Sequence, residues 1–165
     1  MTGSPLNLAD ADLKGFEPID PGHYNAVVFA MTEDAVKNTD GTGKMPAGTP
    51  MIKIQFRITD DINGSTNRRV FWQGIVPPKD YDKKKAAVMK GMIVRAFIGL
   101  GDKEEDVLTA KFDPDYEDYL GRECVVVVGK EQKKINGVLV DEWNNPVKSI
   151  KPAGSITGSN SGGLL

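Results

Sequence analysis

Within the run 51–59 (MIKIQFRIT), residues 52–59 alternate strictly between apolar and polar side chains. Isoleucine or phenylalanine occupies every even position from 52 to 58, and lysine, glutamine, arginine and threonine occupy the odd positions from 53 to 59. Successive side chains of a β-strand point to opposite faces, so a period of two predicts a strand with one buried and one solvated face. A strand of this kind is stable only in a sheet whose apolar face is covered.

A second strand follows the first after a turn. Residues 60–67 contain the pair Asn63-Gly64, which is a strong hairpin signal. Residues 68–76 (RRVFWQGIV) are rich in β-branched and aromatic side chains, and Pro77-Pro78 ends the run. The sequence therefore predicts an antiparallel pair of strands, which are the second and third strands of the chain.

Three other segments also predict strands. Residues 23–31 (HYNAVVFAM) follow Pro21-Gly22 and predict the first strand. Residues 122–130 (RECVVVVGK) are almost continuously apolar and predict a fourth strand that is buried on both faces. The pair Asn136-Gly137 turns the chain into a fifth strand at residues 138–143, and a short extended run follows at 147–150.

Residues 80–100 change to a helical period. Apolar side chains recur there at spacings of three and four, at Met89, Met92, Ile93, Ala96, Phe97 and Leu100. This spacing predicts an amphipathic helix that ends at Gly99 or Gly101.

The predicted element order is β1-β2-β3-α-β4-β5, which is mainly β with one helix. That order matches the five-stranded barrel of the OB-fold, whose helix lies between the third and fourth strands. An α+β sandwich, with the helix packed across an antiparallel sheet, is the alternative that the order leaves open.

The length of 165 residues allows one ordinary domain. We expect a flexible N-terminal arm over residues 1–20, an OB-fold-like domain over residues 21–152 and a flexible Gly/Ser-rich tail over residues 153–165. No apolar run reaches the roughly 18 residues that a membrane span requires. Residues 1–20 also lack a secretory signal pattern, so the sequence predicts a cytoplasmic protein with no membrane partner.

Few residues suggest catalysis or metal binding. His23 is the only histidine and Cys124 the only cysteine, so the sequence has no zinc-binding cluster. Residues 40–44 (DGTGK) resemble the end of a phosphate-binding loop, but the full pattern requires glycine at 38 and serine or threonine at 45. The chain has Asn38 and Met45 instead. We therefore expect no enzymatic activity, no cofactor and no catalytic or metal site.

Charge is distributed unevenly along the chain. The net charge is −2, yet residues 102–118 carry eight acidic and two basic side chains, a local net charge of −6. Residues 53–95 carry ten basic side chains against four acidic ones. A protein that is acidic overall can therefore present one basic face.

Strands two and three carry the residue types that single-stranded nucleic acid requires, which are cations for phosphates and flat side chains for bases. The candidates are Lys53, Arg57, Arg68, Arg69, Phe71 and Trp72. Phe71 and Trp72 are adjacent, so in a half-buried strand one of the two rings faces outward. Either Phe71 lies outside with Arg69 and Gln73, or Trp72 lies outside with Arg68. A third arrangement buries both rings at sheet edges.

The loops that flank the binding face of an OB-fold lie between strands one and two and between strands four and five. The first of these loops carries Lys37 and Lys44, and the second carries Lys130, Lys133 and Lys134. Trp143 follows the second loop on strand five. Ordinary solvent-exposed lysines fit the same positions, but the pattern places these residues in the predicted site.

Several short motifs resemble those of a family of small bacteriophage single-stranded-DNA-binding proteins, which are encoded near recombination and replication genes. The resemblance covers residues 21–152. It rests on Pro21-Gly22-His23-Tyr24, the run 52–58, Val70-Phe71-Trp72, the helix end 97–101, the strand 121–128 and the closing run 144–150 (NNPVKSI).

This resemblance implies an OB-fold or a relative of it, and binding of single-stranded DNA with little sequence preference during phage replication or recombination. It also implies phage recombination or replication proteins as partners, and the host cytoplasm as the location. A homo-oligomer is compatible with it. The alternative function is that of a phage structural protein, or of a protein that binds a host protein without contacting nucleic acid.

Overall fold

The computed structural model of the chain describes residues 6–9, 18–37, 45–62 and 64–156. Within these residues the chain forms seven strands, one long helix, one short helix and a 3₁₀ turn. The strands are β1 Gly22–Ala35, β2 Pro50–Ile58, β3 Arg69–Ile75, β4 Glu123–Val128, β5 Glu131–Ile135, β6 Val138–Asn144 and β7 Val147–Pro152. The helices are α1 Lys83–Gly99 and α2 Glu104–Val107, and the 3₁₀ turn spans Tyr116–Tyr119.

Five of these strands form one antiparallel sheet in the order β3-β2-β1-β4-β7, and β5 and β6 form a separate hairpin. The long strand β1 lies at the centre of the larger sheet. It pairs with β4 through residues 22–27 and with β2 through residues 26–35. One strand thus joins two halves of the sheet, and the prediction of a mainly β chain with one long helix is confirmed.

β1 contains a bulge at Phe29. The register of β1 with β2 runs through Val28 opposite Phe56 and continues with Ala30 opposite Gln55, so Phe29 has no partner on β2. An extra residue of this kind bends a strand and increases its twist. The Phe29 ring is exposed, on the face opposite to that of the buried Val28 side chain.

The core lies between one face of the sheet and α1. The even positions of β2 from 52 to 58 are buried, as their alternation predicted, and the helix adds Ala96, Phe97 and Leu100. The Phe97 ring makes edge contacts with the rings of Phe112 and Tyr119, at centroid distances of 5.0 and 5.5 Å. Segment 102–119 is therefore attached to the core through aromatic contacts.

Cys124 on β4 is a buried, uncharged member of this core. Burial raises the pKa of its thiol to about 12, because the charged thiolate is unfavourable away from water. The residue therefore acts as a small apolar side chain.

The second half of the chain differs from the predicted layout. Residues 131–135, expected to be a loop, form strand β5 and pair with β6 across the Asn136-Gly137 turn. The strand predicted at 138–143 therefore belongs to a hairpin outside the main sheet. The fifth strand of the main sheet is β7, which the sequence indicated as only a short extended run.

The five-stranded sheet does not close into a barrel, so the simple five-stranded layout expected from the sequence is wrong. Among the described residues, edge strand β3 is joined to the start of the β7 segment by one isolated parallel bridge, between Phe71 and Pro146, the residue before β7, and no continuous ladder forms. The two edges nevertheless approach each other, and a cleft lies between them.

The end of the predicted N-terminal arm packs against the domain. Ile19 is buried, and its backbone N–H donates to Asn145 Oδ1 at 2.9 Å. Most of the remaining arm and of the predicted tail, including residues 157–165, lies outside the described residues. Among the helices that the structure describes, none is long and apolar enough to cross a membrane.

Two glycines of α1 provide a test of its packing. A Cβ atom at Gly91 would meet no atom within 4 Å, whereas one at Gly99 would lie 2.3 Å from the carbonyl oxygen of Ile150 on β7. We expect Gly91→Ala to stabilise the protein by about 1 kcal/mol through helix propensity. Gly99→Ala should destabilise it by about 1–3 kcal/mol, because β7 must move away. Urea unfolding measures both, and equal effects would contradict a close contact between α1 and β7.

Candidate nucleic-acid interface

The outer face of β2 and β3 combines cations, amides and a ring. Their antiparallel register places Lys53 opposite Gln73, Gln55 opposite Phe71 and Arg57 opposite Arg69. Along β3 the residues at 69, 71 and 73 are exposed, while those at 70, 72 and 74 are buried. The alternation that fills the core therefore directs these polar and aromatic side chains outward.

Trp72 lies in the core, and the expectation that it contributes to the surface is wrong. It is 5% exposed, whereas Phe71 is 51% exposed. The edge of the Trp72 ring occupies the space beside Gly74, where an added Cβ would lie 2.4 Å from ring atom Cη2. The first of the three sequence arrangements, with Arg69, Phe71 and Gln73 on the outer face, is confirmed.

Arg57 and Arg69 are direct cross-strand neighbours of like charge. Arg57 donates to Asn67 Oδ1 at 3.0 Å, and the Arg69 guanidinium lies 3.7 Å from the centroid of the Phe29 ring. Among the described residues, no carboxylate forms a salt bridge with either guanidinium. Like charges opposite each other destabilise a sheet, and a bound anion would relieve that repulsion.

An open groove of about 610 Å³ lies between the edge strand β3 and the segment that leads into β7. We call it the β3 groove. One wall consists of Arg68, Arg69, Phe71 and Gln73, and the other consists of Trp143, Asn144, Asn145 and Pro146. Two exposed rings, Phe71 and Trp143, thus line opposite walls, with arginines next to one of them.

Trp143 is 43% exposed at the base of the hairpin. The ammonium group of Lys130 lies 5.4 Å from its ring centroid, within the range of a cation–π contact. A positive charge therefore also lies beside the ring on the groove wall opposite β3.

Asn145 holds that wall in place. Its side-chain amide donates to the carbonyl oxygens of Ile19 and Gly129, both at 2.9 Å, and its Oδ1 accepts from the backbone of Ile19. One side chain thus ties the base of the hairpin to the end of β4 and to the segment before β1. The sequence analysis used Asn144, Asn145 and Pro146 only as part of the closing motif 144–150.

Three predicted lysines lie outside the β3 groove. Lys53 pairs with Asp34 at 3.3 Å, and the pKa of Asp34 is lowered by the backbone N–H of Ala35 and by this lysine. On the hairpin, Lys133 pairs with Glu142 at 3.3 Å, and Lys134 is exposed beyond it. These side chains are not among those that line the groove.

Of the two lysines predicted in the loop between β1 and β2, the structure describes only Lys37. Lys37 is exposed just after β1 ends and does not line the β3 groove. Lys44 lies outside the described residues. Phe29 is a further ring on this face that the sequence analysis did not select; it follows the buried Val28, and its ring lies under the Arg69 guanidinium.

The structure therefore brings together Arg68, Arg69, Phe71, Trp143 and Lys130, with Arg57 beside Arg69 on the sheet.

In comparisons with known proteins, no family model matches the chain, and no curated protein shows significant similarity to it. The functional argument depends on this cluster of cations and rings.

The two tryptophans should differ in their access to a collisional quencher. In Trp143→Phe the remaining fluorophore is the buried Trp72, so acrylamide should quench weakly and emission should lie at shorter wavelength. In Trp72→Phe the exposed Trp143 remains, and quenching should be strong. Circular dichroism checks that both variants fold, and similar quenching in the two would contradict the burial of Trp72.

Proposed function

We propose that this protein binds single-stranded DNA in the β3 groove with little sequence preference. The observation that carries the proposal is the placement of two exposed rings on opposite walls of an open groove, next to Arg69. Neither Arg69 nor its cross-strand neighbour Arg57 forms a salt bridge with a carboxylate of the described residues. Exposed rings stack on unpaired bases of any sequence, and arginines follow the phosphates. In duplex DNA the bases already stack on one another, which favours a single strand as the ligand.

We further propose that the main sheet is a partly open OB-type barrel. Three features support this proposal. In chain order, α1 lies between β3 and β4, and the β5–β6 hairpin is inserted between β4 and β7. The edges β3 and β7 approach each other in parallel. In that arrangement β7 is the fifth barrel strand, and the hairpin is an elaboration of the loop that flanks the binding face of OB-folds.

The biological setting is proposed from the sequence motifs. They resemble those of phage single-stranded-DNA-binding proteins, so we place the protein on exposed strands during phage replication or recombination, in the host cytoplasm. Recombination or replication proteins of the phage are then its partners. The chemistry proposed is binding alone, with no catalytic step.

The stacking residues are tested by truncation. Trp143→Ala and Phe71→Ala should each weaken binding to oligothymidine by about 5- to 150-fold, because a lost base stack costs about 1–3 kcal/mol. Val88→Ala is the matched control, since this exposed apolar residue of α1 does not line the groove. Fluorescence anisotropy of a labelled oligonucleotide measures the affinity. Unchanged affinity in both aromatic variants would contradict stacking in the β3 groove.

The two cross-strand arginines are tested by salt dependence. Arg57→Gln and Arg69→Gln should each reduce the slope of log K against log salt by about 0.7, which is the value for one lost phosphate contact on a single strand. Lys84→Gln, an exposed lysine of α1, is the charge-matched control and should leave the slope close to that of the wild type.

The same arginine variants should also resist unfolding slightly better at low salt, by about 0.2–1 kcal/mol, because the like-charge pair is removed. If a variant binds DNA more weakly but is at least as stable as the wild type, the weaker binding is due to the lost arginine contact and not to a damaged fold. No binding of oligothymidine or oligouridine by the wild type at low salt would refute the proposal and favour a protein-interaction function.

A further inference from the structure

The two arginines that face each other across β2 and β3 are both held by uncharged groups. We call Arg57 and Arg69 the arginine pair. The Arg69 guanidinium lies 3.7 Å from the centroid of the Phe29 ring, and Arg57 Nη1 donates to Asn67 Oδ1 at 3.0 Å. A carboxylate would also hold a guanidinium, but it would cancel the positive charge. A ring or an amide oxygen holds the group and leaves its charge to an external anion.

Arg69 reaches across the sheet to meet Phe29. Arg69 is on edge strand β3 and Phe29 is on β1, with β2 between them. Two strand spacings amount to about 10 Å, which the long arginine side chain spans. Although Arg69 also lines the β3 groove, its guanidinium therefore lies over the middle of the outer face, where Arg57 is exposed to the same solvent.

Asn67 is fixed by the turn that precedes β3. Its φ of 64° lies in the left-handed region, which asparagine tolerates better than most residues. Its backbone N–H donates to the carbonyl oxygen of Ile58 at 2.8 Å. In the same turn Ser65 is buried, and its hydroxyl donates to the carbonyl oxygen of Asp60 at 2.6 Å. The Asn67 side chain thus meets Arg57 from a well-anchored backbone.

Acidic residues near the arginine pair do not neutralise it. The carboxylate of Asp60, which follows the end of β2, accepts from the backbone N–H and the side-chain amide of Asn25, at 2.7 and 3.1 Å. Glu123 of β4 lies in the same cross-strand row as Arg57, on the far side of Val27. It forms no salt bridge with another described residue. The arginine pair therefore keeps its positive charge on an exposed face.

We propose that Phe29 and Asn67 are positioning residues, which hold the arginine pair as a preformed site for the phosphate backbone of the bound strand. The guanidinium groups donate hydrogen bonds to phosphate oxygens, and the phosphate charge relieves their mutual repulsion. Binding normally costs the conformational freedom of each side chain that becomes ordered, and neutral contacts made before binding reduce that cost. This assignment rests on the proposed function, in which it names the phosphate site.

The role of Phe29 is tested by two variants of matched size. Phe29→Leu removes the ring and should weaken binding of oligothymidine by about 2- to 12-fold, the cost of ordering one additional side chain. Phe29→Tyr keeps the ring and should bind like the wild type. Fluorescence anisotropy measures the affinities, and thermal unfolding checks that the variants fold.

A double-mutant cycle shows whether Phe29 acts through Arg69. In an Arg69→Gln background, Phe29→Leu should cause no further loss of affinity, because the group that the ring positions is already absent. An equal loss in both backgrounds would mean that Phe29 contacts DNA directly, and would overturn its positioning role.

Asn67→Asp tests the requirement for an uncharged partner. Aspartate has nearly the same shape, tolerates a positive φ and should form a salt bridge with Arg57. The variant should therefore bind oligothymidine more weakly, with the slope of log K against log salt reduced by about 0.7. Its stability to urea should equal or exceed that of the wild type. Asn136→Asp is the matched control, since Asn136 is exposed, also has a positive φ and lies in the hairpin turn away from the arginine pair.

A base-free polyphosphate separates the phosphate site from base stacking. Calorimetry should show that it binds the wild type, that Phe29→Leu and Asn67→Asp weaken this binding, and that Trp143→Ala leaves it unchanged. This pattern without any binding of oligothymidine would support the phosphate site and refute the proposed function. If oligothymidine binds the wild type, Phe29→Leu and Asn67→Asp with equal affinity, DNA binding stands and the phosphate site is overturned.

Discussion

The alternation of buried and exposed side chains along β2 and β3 controls both the core and the surface of this protein. Phe56 and Val70 face each other in the core, and the next pair along the strands, Arg57 and Arg69, faces outward. A shift of one residue in either strand would exchange the two faces. The register that buries the apolar side chains therefore also sets two guanidinium groups side by side, so the charged surface depends directly on core packing.

The wall opposite β3 has a different physical basis. It is joined to β3 by one isolated bridge, and the amide of Asn145 fixes its position through bonds to Ile19 and Gly129. A ladder of backbone bonds would close the cleft between β3 and β7. The side-chain amide instead anchors the far wall of the groove to the end of β4 and to the segment before β1.

Local patterns predicted the elements better than they predicted the pairing. The alternation in β2, the helical spacing in α1 and the Asn136-Gly137 turn are properties of short segments, and the structure confirms them. The polar run 131–135 has no strand pattern and becomes a strand because β6 pairs with it. The bulge at Phe29 and the choice of β7 as the fifth strand depend on long-range register, which short segments do not encode. Of the predicted site, Phe71, Arg69 and Trp143 line one groove. Trp72 is buried because it alternates with Phe71 along β3.

The like-charge pair of Arg57 and Arg69 is the strongest physical argument for an anionic ligand. Three lysines beyond the β3 groove do have acidic neighbours, since Lys53 pairs with Asp34, Lys133 with Glu142 and Lys148 with Glu131. Arg57 and Arg69 face each other with no such neighbour among the described residues, although the chain has more acidic than basic side chains. A like-charge pair costs folding stability, and one carboxylate nearby would remove the cost. The positive charge remains next to exposed rings. A single strand of nucleic acid would satisfy both features, because its phosphates would pair with the guanidinium groups and its bases would stack on the rings.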